Sequence, residues 1–206
     1  MFFINHKKTD KFLNYHYFFP QLLETFVSPE QENSRISLLS FSHVAKSLSK
    51  LSPIGHLIAR EKIRIDPRSS AWILGKLLKL LSFAHDQGIA VGNLTGENIL
   101  INREQHYVMV ADWTQAIISP GTLPISTTKK EIAQVAIETT LALNGNSKNG
   151  KLRPSEQLSD DRYESFIRDL ITESYEYDAF TIHSKFYKLI RSIWPSKFHP
   201  FTTHPL

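Results

Sequence analysis

Cysteine is absent from this chain of 206 residues. Its absence excludes a disulfide framework, a thiolate metal site and a cysteine nucleophile, and it is compatible with the reducing cytoplasm in which we expect the protein. Long apolar runs are absent as well, because none reaches the roughly 18 residues that span a membrane. The apolar residues before Lys7 are too few for a signal peptide. We therefore expect no membrane association.

Glycine is missing from the amino-terminal part of the chain, since all eight glycines lie at Gly55 or later. A loop that wraps phosphate groups with its backbone needs glycine, because other side chains obstruct the close approach. The residues before Gly55 therefore hold no glycine-rich phosphate-binding loop. Metal-ligand patterns are missing too, because the nine histidines include no H-x-x-x-H or comparable spacing. We expect His199 and His204 to be exposed to solvent.

Apolar residues make up 41% of the chain and include thirteen phenylalanines, which is enough to fill the core of one domain. The net charge of +4 is mildly basic and permits an acidic partner without requiring one. A basic stretch runs through Lys46, Lys50, Arg60, Lys62 and Arg64. Because aromatic residues do not alternate with these cations, we interpret the stretch as a solvated face rather than a nucleic-acid-binding surface.

The stretch from Ala71 to Thr114 has the clearest pattern in the sequence. Apolar residues recur at helical spacing on two faces up to Ala84, which predicts a buried helix, and Gly88 is positioned to end it. A polar loop follows, and then two short apolar strands, Asn98–Ile101 and Tyr107–Val110, flank four polar residues. That arrangement predicts a β-hairpin.

The order of helix, polar loop, hairpin and Asp112-Trp113 resembles the catalytic core of protein kinases. The amino-acid sequence of this stretch is similar to bacterial serine/threonine kinase-like proteins. The kinase pattern is a helix, H-R-D-L-x-x-x-N-I-L, a hairpin and D-F-G. Aligned without gaps, Val91-Gly92-Asn93-Leu94 stands at H-R-D-L, Asn98 at the metal-binding asparagine, and Asp112-Trp113-Thr114 at D-F-G. The resemblance implies that Asn98 and Asp112 bind Mg²⁺ and nucleotide. The other interpretation is that they persist as hydrogen-bonding residues of the loop and hairpin.

Departures from the kinase pattern indicate lost chemistry. The kinase aspartate accepts or orients the proton of the substrate hydroxyl, but Asn93 is a neutral amide and is not a base near neutral pH. Gly92 removes the neighbouring cation, and Thr114 removes the freedom of a glycine. Lys7 and Lys8 follow no hydrophobic strand, so they do not supply the lysine that pairs with a helix glutamate in kinases. The resemblance therefore implies a degenerate kinase, a pseudokinase, that lacks most of the N-lobe.

The resemblance also implies a mainly α-helical α+β fold, a kinase-like C-lobe with a β-hairpin and a remnant two-stranded N-lobe sheet. Residues 1–42 would be the remnant of the N-lobe and hinge, with strands within Phe18–Phe26 and Arg35–Phe41, and residues 43–206 the helical C-lobe-like domain. We expect connecting helices within His43–Ile65.

Further helices are expected in the C-lobe-like part of the chain. Asp66-Pro67 is a typical helix start, and Glu131–Leu143 reads as a buried helix. By the resemblance, Glu131 would accept hydrogen bonds from the catalytic-loop backbone. Tyr163–Ser174 and Ala179–Trp194 have amphipathic helical spacing.

Three functions remain open at this point. The first is a pseudokinase scaffold that acts by binding another protein, without enzymatic activity and with no cofactor or, at most, weakly bound Mg-ATP. The second is a serine/threonine kinase with residual activity, or the carboxyl-terminal half of a split kinase whose N-lobe is another polypeptide. The third, supported by charge alone, is a basic nucleic-acid-binding protein, and we do not expect nucleic acid as a partner.

Overall fold

The structure is a computed structural model that describes residues 15–30, 34–152, 160–175, 178–195 and 199–206. Its α-helices within these ranges are α1 (Ile54–Ala59), α2 (Pro67–Asp86), α3 (Ile125–Ala142), α4 (Arg162–Ile171) and α5 (Ala179–Ile193). The strands are β1 (Gln21–Val27), β2 (Arg35–Ser40), β3 (Ser52–Pro53), β4 (Ile63–Ile65), β5 (Ile89–Ala90), β6 (Ile99–Asn102), β7 (Tyr107–Val110), β8 (Ile117–Ile118) and β9 (Thr203–Pro205).

Helix α2 forms the centre of the core, as its sequence predicts. Asp66 caps its first turn, because Oδ1 accepts a hydrogen bond from the Ser69 N–H at 2.6 Å. The glycine after the last turn, Gly88, has a φ of +69°, which favours glycine at a helix end. Fully buried leucines and an isoleucine cover both apolar faces of the helix: Ile73, Leu74, Leu77, Leu78, Leu80 and Leu81. Helices α3 and α5 pack against it.

Helix α3 begins six residues before the predicted start at Glu131, because its first residue is Ile125. None of the residues from 125 to 130 is buried. Apolar periodicity therefore gives no sign of this part of the helix, since periodicity reports only burial of one face. The predicted helices α4 and α5 are confirmed, with bounds within three residues of those expected.

The predicted hairpin is confirmed as β6 and β7, which pair antiparallel with Ile99 opposite Val110. The short strand β3 extends this sheet on the β6 side. The expectation of connecting helices within His43–Ile65 is confirmed only for the short helix α1, because the region also holds one 3₁₀ turn (Leu48–Lys50) and the strands β3 and β4. Both strands pair with partners distant in sequence, which local periodicity does not reveal.

The carboxyl-terminal segment returns to the core, where β9 pairs antiparallel with β4. The expectation that His199 is solvent-exposed was wrong, because its Nε2 lies 2.6 Å from Asp66 Oδ2 and its side chain is 26% exposed. The same carboxylate therefore caps α2 and binds the tail. His204 is exposed, as expected.

The strands β1 and β2 form a separate antiparallel hairpin, with a bulge between Leu22 and Glu24. Its large apolar side chains are 40–64% exposed: Leu22, Leu23, Phe26, Val27, Ile36, Leu38 and Leu39. A 3₁₀ turn before β1 fixes the hairpin to the core, because Phe18 is 3% exposed and Tyr15 stacks on Phe83 with ring centroids 4.3 Å apart. The predicted two-stranded sheet is confirmed. The boundary between residues 42 and 43 stays a prediction, and Lys7 and Lys8 lie outside the described residues.

Among the described helices, none combines the length and apolar character needed to cross a membrane.

Candidate functional site

The loop between β5 and β6 meets the segment after β7 at Asn98, a side chain that is 6% exposed. Its Nδ2 donates hydrogen bonds to the Asn93 carbonyl oxygen at 2.6 Å and to the Asp112 carbonyl oxygen at 2.8 Å. Its Oδ1 accepts the Asp112 N–H at 2.6 Å. The Asn98 amide thus joins the two segments with two hydrogen bonds to Asp112 and holds the loop with a third to Asn93.

Asp112 is the acidic group at this junction. Its Oδ1 accepts the Thr114 N–H at 2.9 Å, and its Oδ2 accepts a hydrogen bond from Asn93 Nδ2 at 3.1 Å. The Thr114 backbone N–H is the largest cause that holds the pKa of Asp112 below its ordinary value. The structure therefore brings the three residues predicted from sequence together, with Asp112 ionised at neutral pH and Asn93 acting as a donor to it.

Beneath this loop lies an almost fully buried pair that holds it to the helical core. Glu131 Oε1 accepts the Gly92 N–H at 2.6 Å, as expected from sequence. Glu131 Oε2 lies 2.7 Å from His85 Nε2, and the two side chains are 9% and 7% exposed. Sequence reasoning missed His85. The signal available was a histidine in the last turn of a largely apolar helix, three residues before the glycine that ends it.

The comparisons with known proteins agree with this arrangement at the level of the fold. No protein-family model matches the chain, and no curated protein matches it. Among solved structures, the chain is similar to the "Crystal structure of Rad53 kinase domain and SCD2". The TM-score is 0.59 at 14% sequence identity, and the match covers 80% of this chain and 67% of that chain. The chain has a protein-kinase-like fold. The predicted fold class, α+β and mainly helical, is confirmed.

A protein-kinase-like fold implies a magnesium site at Asn98 and Asp112, and the donors present there can be compared with that role. Magnesium binds through one or two carboxylates together with waters and phosphates. Both oxygens of Asp112 already accept hydrogen bonds, and the Asn98 amide oxygen accepts another. The part of the chain that the structure describes has no group of three or more His, Cys, Asp or Glu side chains placed to hold a metal ion. Because a carboxylate has about four lone-pair sites and an amide oxygen has two, these hydrogen bonds do not exclude Mg²⁺, and binding of Mg-ATP stays a prediction.

The backbone conformation explains why residue 92 is glycine, which sequence comparison does not reveal. Its φ is +83°, and a Cβ at this position would overlap the carbonyl oxygen of Gln115. A side chain there would therefore force both the loop and the segment after Asp112 to move. The absence of a cation at this position follows from the backbone.

Trp113 acts as a packing residue. Its Nε1 donates a hydrogen bond to the Val110 carbonyl oxygen at 2.9 Å, and its ring centroid lies 4.8 Å from that of Phe19. Trp113, next to Asp112, thus connects the hairpin with the turn that precedes β1.

Proposed function

We propose that this chain is a pseudokinase scaffold, a protein-kinase-like fold that binds another protein and does not transfer phosphate. One observation carries the proposal: the side chain at the position of the catalytic base is Asn93, whose Nδ2 donates a hydrogen bond to Asp112 Oδ2 at 3.1 Å. A kinase uses a carboxylate at this position to accept or orient the substrate hydroxyl proton. An amide that already acts as a donor to the neighbouring carboxylate supplies no such acceptor.

The bonding of Asn98 supports the same proposal. In a kinase the corresponding asparagine coordinates a metal ion, whereas the Asn98 amide oxygen here accepts the Asp112 N–H at 2.6 Å. The hydrogen bonds by which Asn98 joins two segments of backbone need no nucleotide. We therefore propose that nucleotide binding is absent or weak. A cytoplasmic location is compatible with the lack of cysteine.

The exposed β1–β2 hairpin supports a role in protein binding. Leu23 and Val27 are 64% and 60% exposed, although both are residues that proteins usually bury. Clusters of exposed apolar side chains mark interaction sites. The same observation favours the second candidate, the carboxyl-terminal half of a split kinase, because strands of a separate N-lobe would cover these side chains.

Measuring phosphate transfer tests the proposal directly. The purified chain is incubated with Mg²⁺ and radiolabelled ATP, with and without a general acceptor such as myelin basic protein. Asp112→Asn, which keeps the shape of the side chain and removes its charge, is the matched control. We expect no incorporation above that control. Incorporation that requires Asp112 would refute the pseudokinase proposal. Incorporation that appears only when a second polypeptide supplies a glycine-rich loop and a strand lysine would favour the split kinase.

A further inference from the structure

A groove of about 1330 Å³ runs between α2 and α5 on a face that shares no lining residue with the Asn93–Asn98–Asp112 site. The described residues that line it include five lysines and arginines but no aspartate or glutamate: Arg68, Lys76, Lys79, Lys188 and Arg191. The groove is therefore far more basic than a chain with a net charge of only +4 leads one to expect.

Gly75 of α2 and Phe186 of α5 meet in the lining of the groove. A Cβ on Gly75 would lie 3.0 Å from Cε1 of Phe186, so a side chain there would require the Phe186 ring to shift. From this contact, residues three and four apart on each helix form the walls. Trp72, Lys76 and Lys79 follow this spacing on α2.

The two lysines on the α2 wall are partly buried cations. Burial lowers the pKa of both Lys76 and Lys79, and Lys76 lowers that of Lys79 further. Neither side chain has a carboxylate partner within the described residues. The ammonium of Lys79 lies 5.3 and 5.8 Å from the ring centroids of Tyr15 and Phe18. Because a recessed charge without a counter-charge is costly, an added carboxylate would be favourable at this position.

The aromatic residues of the groove form an apolar wall more than a surface for base stacking. Phe186 is only 3% exposed, and the guanidinium of Arg191 lies 4.7 Å from the Tyr187 ring centroid and covers one of its faces. Trp72 packs edge-on against Phe201 with ring centroids 6.0 Å apart. Nucleic acid requires open ring faces beside exposed phosphate-binding cations. Rings that are only partly open, beside recessed lysines, fit the acidic and apolar side chains of a peptide better.

We propose that this groove binds an acidic peptide segment of a partner protein, with Asp or Glu carboxylates at Lys76 and Lys79 and an apolar side chain against Trp72 and Tyr187. Arg68 and Lys79 are eleven residues apart on α2, which gives a length of about 17 Å at 1.5 Å per residue. Three helical turns or about five extended residues of a peptide match this length. The inference rests on the proposed binding role but not on the loss of phosphate transfer.

The probe is a fluorescein-labelled random copolymer of glutamate and tyrosine, which carries both features that the groove would recognise. Its binding to the full chain is measured by fluorescence anisotropy. The test variant is Lys76→Gln with Lys79→Gln. The control is Lys130→Gln with Lys148→Gln, which removes the same charge from two exposed lysines outside the groove. We expect the test variant to bind at least about tenfold more weakly and the control to change less than about twofold.

Thermal unfolding followed by circular dichroism establishes that both variants are folded. The proposal is overturned if the copolymer does not bind the wild-type chain, or if both variants lose affinity equally, since that indicates attraction by net charge alone. It is also overturned if polyuridylate binds more tightly than the copolymer and loses that affinity in the test variant. None of these results affects the phosphate-transfer assay, so failure of the groove and failure of the pseudokinase proposal are distinguishable.

Discussion

Replacing Asn98 by alanine separates a structural role of this residue from a role in metal binding. The substitution removes three hydrogen bonds that the amide makes with the backbone of Asn93 and Asp112. At about 1 kcal/mol for each net hydrogen bond, we expect the free energy of unfolding to fall by about 3 kcal/mol. For a chain of this length, 1 kcal/mol corresponds to about 2–4 °C in Tm. The expected decrease in Tm is therefore about 6–12 °C.

Urea unfolding followed by circular dichroism, without magnesium or nucleotide, measures this change. Asn149→Ala is the matched control, because Asn149 is exposed and its Oδ1 accepts only the Lys151 N–H among the described contacts. We expect the control to lose less than about 1 kcal/mol. A change of less than about 0.5 kcal/mol in Asn98→Ala would refute the structural role. Asn98 would then be free for another role, such as metal binding.

Two further predictions concern the backbone and the charge of the same site. Gly92→Ala places a side chain at a φ of +83° against the carbonyl oxygen of Gln115, so we expect a loss of more than about 1–2 kcal/mol. Gly121→Ala, where a Cβ meets nothing within 4 Å, should change little in the same urea unfolding assay. The lowered pKa of Asp112 adds stability that is present above the unfolded pKa of about 3.9 and is lost as the pH falls through the lower folded value. The stability difference between wild type and Asp112→Asn should therefore shrink from pH 6 to about pH 2, and an unchanged difference would contradict the assignment.

The sequence predicts the local features of this fold and misses the features that depend on distant residues. Helix α2 and the β6–β7 hairpin were predicted because apolar spacing and Gly88 describe them within one continuous stretch. The β4–β9 pairing joins segments about 140 residues apart, as Ile63 opposite Pro205 shows, and no local pattern indicates it. The same reason explains why the basic groove was missed. Lys76 and Tyr187 line one groove only because α2 and α5 pack together.

The candidate site was predicted by residue identity but not by hydrogen bonding. Spacing correctly brought Asn93, Asn98 and Asp112 together. It did not predict that the Asn98 oxygen accepts the Asp112 N–H, or that His85 lies against Glu131. These contacts depend on side-chain orientation, which an alignment of motifs does not contain. The motif therefore proposes these residues as a site, the geometry gives their contacts, and their roles stay a prediction.

The conformation of Gly92 bears on the proposed loss of kinase chemistry. In the sequence, Gly92 and Asn93 look like two independent losses of chemistry in one loop. In the structure, the φ of +83° and the nearby Gln115 carbonyl oppose a side chain at this position and explain why residue 92 is glycine. Asn93 then remains as the residue of this loop on which the proposed loss of chemistry rests, and Asn93→Asp is the substitution that tests it. If this variant transfers phosphate while the wild type does not, Asn93 alone separates the chain from a kinase. If it does not, we attribute the lack of phosphate transfer to the expected absence of a glycine-rich loop and a strand lysine. A catalytic base is not sufficient when the nucleotide phosphates are not held in position.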